Sequence, residues 1–189
     1  MNEESIVERL ERLGTRFQDQ LFLENKGLGN EIGLYVFAYD PKDEMIVRKF
    51  IQKLVNNDER YTFSIHENDL FEIFLDICKD NDVLDDLPEY ESNNGFKSLQ
   101  KAIENFASVD DYLDKFEPKQ REKGTDIIII TGLGKVFPFM RSHTILENLQ
   151  PIISDVPIVL FYPGEYDNHT LNLFGSFNDG NFYRAFKII

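Results

Sequence analysis

The order of apolar segments predicts a single α/β domain, residues 1–189, built on a mostly parallel open sheet of about five strands covered by helices. Three observations lead there. Runs such as "IGLYVFAY", "DIIIIT" and "VPIVLFY" lack a polar alternate face, the pattern of strands covered on both sides. Segments with helical spacing separate them, as crossover helices would. The 189 residues are most simply one domain, long enough to bury a single sizeable core.

Taken in order, Ile6, Leu10, Leu13, Phe17 and Leu21 recur at helical spacing behind Ser5, a plausible N-cap. Gly27 and Gly29 end that helix, and a buried strand near 33–39 closes at Asp40-Pro41. Residues 42–56 resume helical spacing through Met45, Phe50 and Leu54. "YTFSIH" predicts a short strand near 61–65, after which Asn68 or Asp69 can cap a helix carrying Leu70, Phe71, Phe74, Leu75 and Cys78. Residues 80–118 are acidic and turn-rich, then regain an apolar face through Phe96, Leu99, Ile103 and Phe106, which suits a helical insert. Strands near 126–131 and 157–162 follow, with Met140, Ile145, Leu146 and Leu149 between them, and "NFYRAFKII" alternates like a last strand. Ile127 to Ile130 are apolar on both pleat faces, so 126–131 should be central.

Charge narrows the function classes. Lys plus Arg number 20 against 34 Asp plus Glu, a formal charge of −14. Such a surface repels phosphate backbones, so autonomous nucleic-acid binding is not expected and a basic protein partner is the better match. Cys78 is the sole cysteine and stands in an apolar run, which argues for a buried thiol over a nucleophile. The start "MNEESIVERLERLG" has neither the basic lead nor the apolar core of a signal peptide, and no run approaches ~18 apolar residues. A cytoplasmic location without membrane contact is expected.

In open α/β sheets ligands sit at the carboxyl ends of the strands, and the glycine turns of this chain fall there. "DIIIITGLGKV" has the outline of a phosphate loop, strand then glycines then lysine. The defining residues are missing: Ile129 stands where the first glycine belongs and Val136 where a metal-binding hydroxyl belongs. The dinucleotide fingerprint begins at Gly132 and Gly134 but meets Phe137 in place of its third glycine. What remains is a tight turn with Lys135 in solvent. Arg141 and His143 just beyond could hold an anion, and Gly164, Glu165, Asp167 and His169 end the next strand. Only three histidines occur, without H-x-x-x-H or paired cysteines, so no metal and no cofactor is expected. No nucleophile stands beside a base, and no catalytic residue is assigned.

As an ordered set, "GLGNEIGLYVFAYDPKDE", "IIITGLGKVFPFMRSHTILENL" and "PIVLFYPGEYDNHTLNLFG" followed by "FYRAF" resemble the BrxB family, small proteins of bacteriophage exclusion (BREX) defence systems. The resemblance spans nearly the whole chain and is weakest across 80–118. It implies a cytoplasmic bacterial protein working beside a PglX-type DNA methyltransferase, a large ATPase and the alkaline-phosphatase-like PglZ. The family brings no catalytic residues to carry over. The expected role is an adaptor or assembly subunit with no enzymatic activity, with the PglZ-type protein as first partner and the methyltransferase or the ATPase next. Tyr90, Phe96, Tyr112 and Phe116, set among Asp110, Asp111 and Asp114, are the expected partner surface, since aromatic anchors ringed by charge suit a specific interface. The alternative is a nucleotide- or anion-binding regulatory subunit, or an enzyme, using Gly132, Gly134, Lys135, Arg141, His143, Gly164 and Glu165.

Overall fold

A computed structural model describes residues 4–26, 33–56, 61–149, 151–178 and 185–189. The N-terminal helix α1 (Ile6–Arg16) opens on the Ser5 cap. Ser5 Oγ accepts from Glu8 N–H while the Glu8 carboxylate accepts from Ser5 N–H, a reciprocal capping box. The helix stops before Leu21. Asp19 caps a separate turn, α2 (Gln20–Leu23), which turns Phe22 and Leu23 inward and leaves Leu21 exposed. Strand β1 (Leu34–Tyr39) ends where expected, and Asp40 caps the single 3-10 turn that leads into α3 (Glu44–Val55). The buried face of α3 is Val47, Ile51 and Leu54, with Phe50 half-buried and Met45 exposed, so the expected helix forms with its apolar face rotated. The turn Gly27-Gly29 lies outside the described residues.

Strand β2 (Ser64–Asp69) starts three residues later than "YTFSIH" suggested and runs into α4 (Leu70–Asp80), whose cap is Asp69. A 3-10 turn (Leu84–Asp86), α5 (Leu87–Asn94), α6 (Phe96–Glu104) and α7 (Val109–Asp114) fill the segment expected as a helical insert. Its second half is core: Leu99, Ile103, Tyr112 and Phe116 are buried. Then come β3 (Asp126–Thr131), the short α8 (Leu133–Val136), α9 (Ser142–Leu149) and β4 (Ile158–Tyr166). The strands β5 (Leu171–Leu173), β6 (Phe177–Asn178) and β7 (Phe186–Lys187) complete the described elements.

The main path of the sheet runs β2-β3-β4-β1-β7, every neighbour parallel. Beyond Pro163, β4 leaves that path to pair antiparallel with β5, which pairs with β6. Strand β3 is interior, with β4 the middle strand of the path. Its six residues are all buried. Ile127 and Ile129 join the cluster under α1, α2 and α3, while Ile128 and Ile130 join the one under α4, α6, α7, α8 and α9. One isoleucine in each layer per pleat is why the run carries no polar alternate. Each such burial contributes about 1.5–3 kcal/mol.

Chain order places the cleft. From β1 the chain passes through α3, on one face, to the far edge strand β2, then returns through β3 and β4 with its helices on the other face. Connections therefore part to opposite faces beside β1, which is where such sheets leave a crevice.

Candidate functional site

At the carboxyl ends of β1, β2 and β3 lies a cavity of ≈ 310 Å³ lined by Tyr39, Glu44, Arg48, Glu67, Asp69, Glu72, Thr131, Gly132 and Lys135 among others. A smaller neighbouring hollow shares Tyr39, Glu44, Arg48, Gly132 and Lys135 and adds Gly134, Pro163 and Phe174.

Gly132 makes the turn possible. Its φ is +75°, and a Cβ there would fall 2.0 Å from Asp69 Oδ1 and 3.0 Å from the Phe71 nitrogen. Only glycine permits both the left-handed backbone and that approach. Asp69 uses the space twice. Its Oδ1 accepts from the N–H of Phe71 at 2.9 Å and of Glu72 at 3.3 Å, capping α4. Its Oδ2 takes the Lys135 ammonium, which also stands 5.4 Å from the Phe71 ring centroid. Lys135 is thus bound to Asp69 rather than free in solvent, a correction to the sequence reading.

A second network lies across the cavity. Tyr39 Oη donates to Glu44 Oε2 at 2.5 Å, and Arg48 Nε donates to Glu44 Oε1 at 2.6 Å. Burial, with Glu44 close by, pushes the Tyr39 phenol far above its ordinary range, and the Glu44 bond raises Arg48. Thr131 Oγ1 donates to Glu67 Oε1 at 2.7 Å. Glu67 is an exposed residue by area, yet protein atoms crowd its carboxyl, and this desolvation lifts its proton affinity against the opposing Thr131 bond. Four carboxylates (Glu44, Glu67, Asp69, Glu72) face two cations (Arg48, Lys135), each cation already held by a carboxylate. An incoming phosphate would meet net negative charge and would have to displace Asp69 from Lys135. The geometry therefore weighs against phosphate cradling at this turn.

The other loop candidates scatter. Gly134 packs under Phe174, where a Cβ would sit 2.9 Å from the ring. Gly164 lets the β4–β5 hairpin close, since a Cβ would fall 2.2 Å from the Asn172 carbonyl oxygen. Glu165 is exposed on that hairpin, and Asp167 is committed to a turn, accepting from the N–H of His169 at 2.9 Å and of Thr170 at 2.6 Å. Arg141 lines a different pocket. His143 is half-buried, and its Nδ1 is enclosed without a hydrogen bond. Among the described residues no group of His, Cys, Asp and Glu could hold a metal. Sequence reasoning missed Tyr39, Glu44, Arg48, Glu67, Asp69 and Thr131 as cavity residues. The four-residue spacing of Glu44 and Arg48 and the capping position of Asp69 were the available signals.

The expected partner surface divides. Tyr90 and Phe96 are 40% and 44% exposed, whereas Tyr112 and Phe116 are buried at 0% and 5%. The latter two belong to the core under the sheet and cannot anchor a partner. Asp110, Asp111 and Asp114 are exposed, but Asp111 is engaged in a capping box with Ser108 at the start of α7. No helix among the described residues is long and apolar enough to cross a membrane.

A family described as "BREX protein BrxB" matches residues 66–188. A protein named "BREX protein BrxB" from Bacillus cereus (strain H3081.97) is 42% identical over 195 residues, covering 97% of each chain. Another of that name, from Escherichia coli O9:H4 (strain HS), is 28% identical over 182 residues, covering 96% of this chain and 90% of its own. No solved structure matches.

Proposed function

Because the chain belongs to the BrxB family, it is a component of a BREX defence system, and we propose that it serves there as a non-catalytic holding subunit whose first partner is the PglZ-type protein. The observation that carries this reading is α5. No residue of that helix is buried, Leu87 alone is half-buried against the core, and the helix with its preceding turn presents Asp85, Asp86, Glu89 and Glu91. Tyr90 and Phe96 stand exposed among these acids. A helix that contributes so little to its own core, carrying aromatics inside an acidic field, has the make-up of a recognition element for a basic surface. The strand-end cavity adds support, since it holds no free nucleophile and its cations are engaged by its own carboxylates.

The test is co-purification with each BREX neighbour in turn, followed by association kinetics. The variants are Tyr90→Ala and the double reversal Glu89→Lys with Glu91→Lys. Asp111 is left intact because reversing it would break the α7 cap. Association with the PglZ-type protein should slow and lose salt dependence in the charge variant, while the unfolding midpoint stays within error of the parent. Unchanged binding by both variants would move the interface elsewhere, and a parent that binds no BREX neighbour would end the holding-subunit reading.

A further inference from the structure

A second pocket lies on the other side of α8 from the charged cavity. It encloses ≈ 260 Å³ between α8, the start of α9, β4 and the β5–β6 hairpin. Its walls include Leu133, Met140, Tyr162 and Leu173, all core residues at 5% exposure or less. Phe177 forms part of the rim at 52% exposure, its ring 5.2 Å from that of Phe137. The walls are thus fixed by the core while one aromatic edge is open to water.

One cation stands in this lining, the Arg141 guanidinium. The described residues give it no carboxylate and no hydrogen-bond acceptor, in contrast to Arg12, Arg16, Arg48, Arg121 and Lys135, which all have an acidic partner. Arg9 also lacks an acid, but it donates to the Ala38 carbonyl at 2.6 Å; Arg141 is exposed at the rim and keeps its donors for an anion that enters this pocket. Arg141 also immediately precedes α9: its carbonyl accepts from Ile145 N–H at 3.3 Å, so the positive end of that eight-residue helix opens beside the same pocket. Two separate sources of positive potential therefore converge on one end of a mixed hollow, lined by six apolar or aromatic side chains together with Arg141, Ser142 and Ser176.

We propose that this pocket is a binding site for a small monocarboxylic acid with an aliphatic or aromatic body. Arg141 takes the carboxylate, and the body fills the space between Leu133, Met140, Tyr162 and Leu173. At ≈ 260 Å³ the volume falls just below the ~300–1,000 Å³ usual for ligand pockets, which limits the occupant to a compact acid. The occupant's negative charge distinguishes this site from the strand-end cavity, whose lining is net acidic.

The experiment uses the full-length protein and heteronuclear NMR titration. Hexanoate and 3-phenylpropionate are the probes. Hexanol and 3-phenylpropanol supply the body without charge, and acetate supplies the charge without a body. The expected result is saturable shifts confined to residues around Leu133, Met140, Arg141 and Leu173 with the two acids, and weaker binding by alcohols and acetate. Arg141→Gln should weaken the acids roughly fivefold, the upper end for a pair partly open to water, and leave the alcohols unchanged. Leu173→Ala, if folded by its amide spectrum, should weaken acids and alcohols alike. Equal binding of acids and alcohols, an Arg141→Gln variant that binds the acids as the parent does, or no saturable shifts with either acid would each overturn the proposal.

Discussion

Cys78 is 0% exposed in the cluster under α4, and burial pushes its thiol up to about 11. At pH 8 about one molecule in a thousand would carry the thiolate, and that thiolate is enclosed. We expect an aromatic disulfide reagent at pH 8 to label the folded protein at least ~100-fold more slowly than the chain in strong denaturant. Labelling of the native protein within seconds at pH 8 would contradict the burial. Single residues also mark where the sequence misled. Tyr112 and Phe116 sit in "DDYLDKF", dense with acids, and looked like surface. Their inward direction is set by α4 and α9 packing over α7, a tertiary fact that local charge density does not carry. Leu21 kept the helical spacing of α1, but Asp19 restarts the helix and turns it to water.

Among the elements, β1, β3 and β4 were legible because both their faces are covered and the sequence has no polar alternate to confuse the reading. Strand β2 was displaced because it is an edge: "SIHEND" is mostly polar, and only its pairing with β3 fixes its register from Ser64 to Asp69. The strands β5 and β6 are too short to carry a periodicity. The junction of β2 and α4 joins fold to cavity through one side chain. Asp69→Ala removes both the α4 cap and the Lys135 ion pair and should cost about 2 kcal/mol in urea unfolding, while Asp69→Asn can still accept at the cap and should cost less than about 1 kcal/mol. Equal losses would mean that the ion pair, not the cap, is what Asp69 contributes. Asn68 braces the same junction from its other side, donating to Glu117 O at 2.8 Å and accepting from Glu117 N–H at 2.9 Å, so the end of the helical segment is tied to the sheet.

At the scale of the molecule, the fold class was readable from the chain and the site was not. Glycine turns announce strand ends, yet which side chains meet there depends on β1 and β3 lying on either side of β4, an order set by crossovers that leave no local pattern. The summed charge of −14 governs solution behaviour. Duplex DNA should bind the isolated protein no more tightly than the ~10⁻⁴ to 10⁻⁶ M of nonspecific contacts at physiological salt, and nanomolar gel-shift binding would refute this. The strand order has one more consequence, in time rather than space. Leu34 pairs with Ile158, and Tyr39 with Pro163, so β1 emerges from the ribosome long before its main hydrogen-bonding neighbour exists. At ~5–20 residues per second, the ~120 residues between them take roughly 6–25 seconds to translate. Throughout that interval "LYVFAY" is an apolar strand with no sheet to join, the kind of segment that other nascent chains can capture. Slower synthesis should therefore lengthen the time for which this strand is open to capture, a hazard set by chain order and not by the finished sheet.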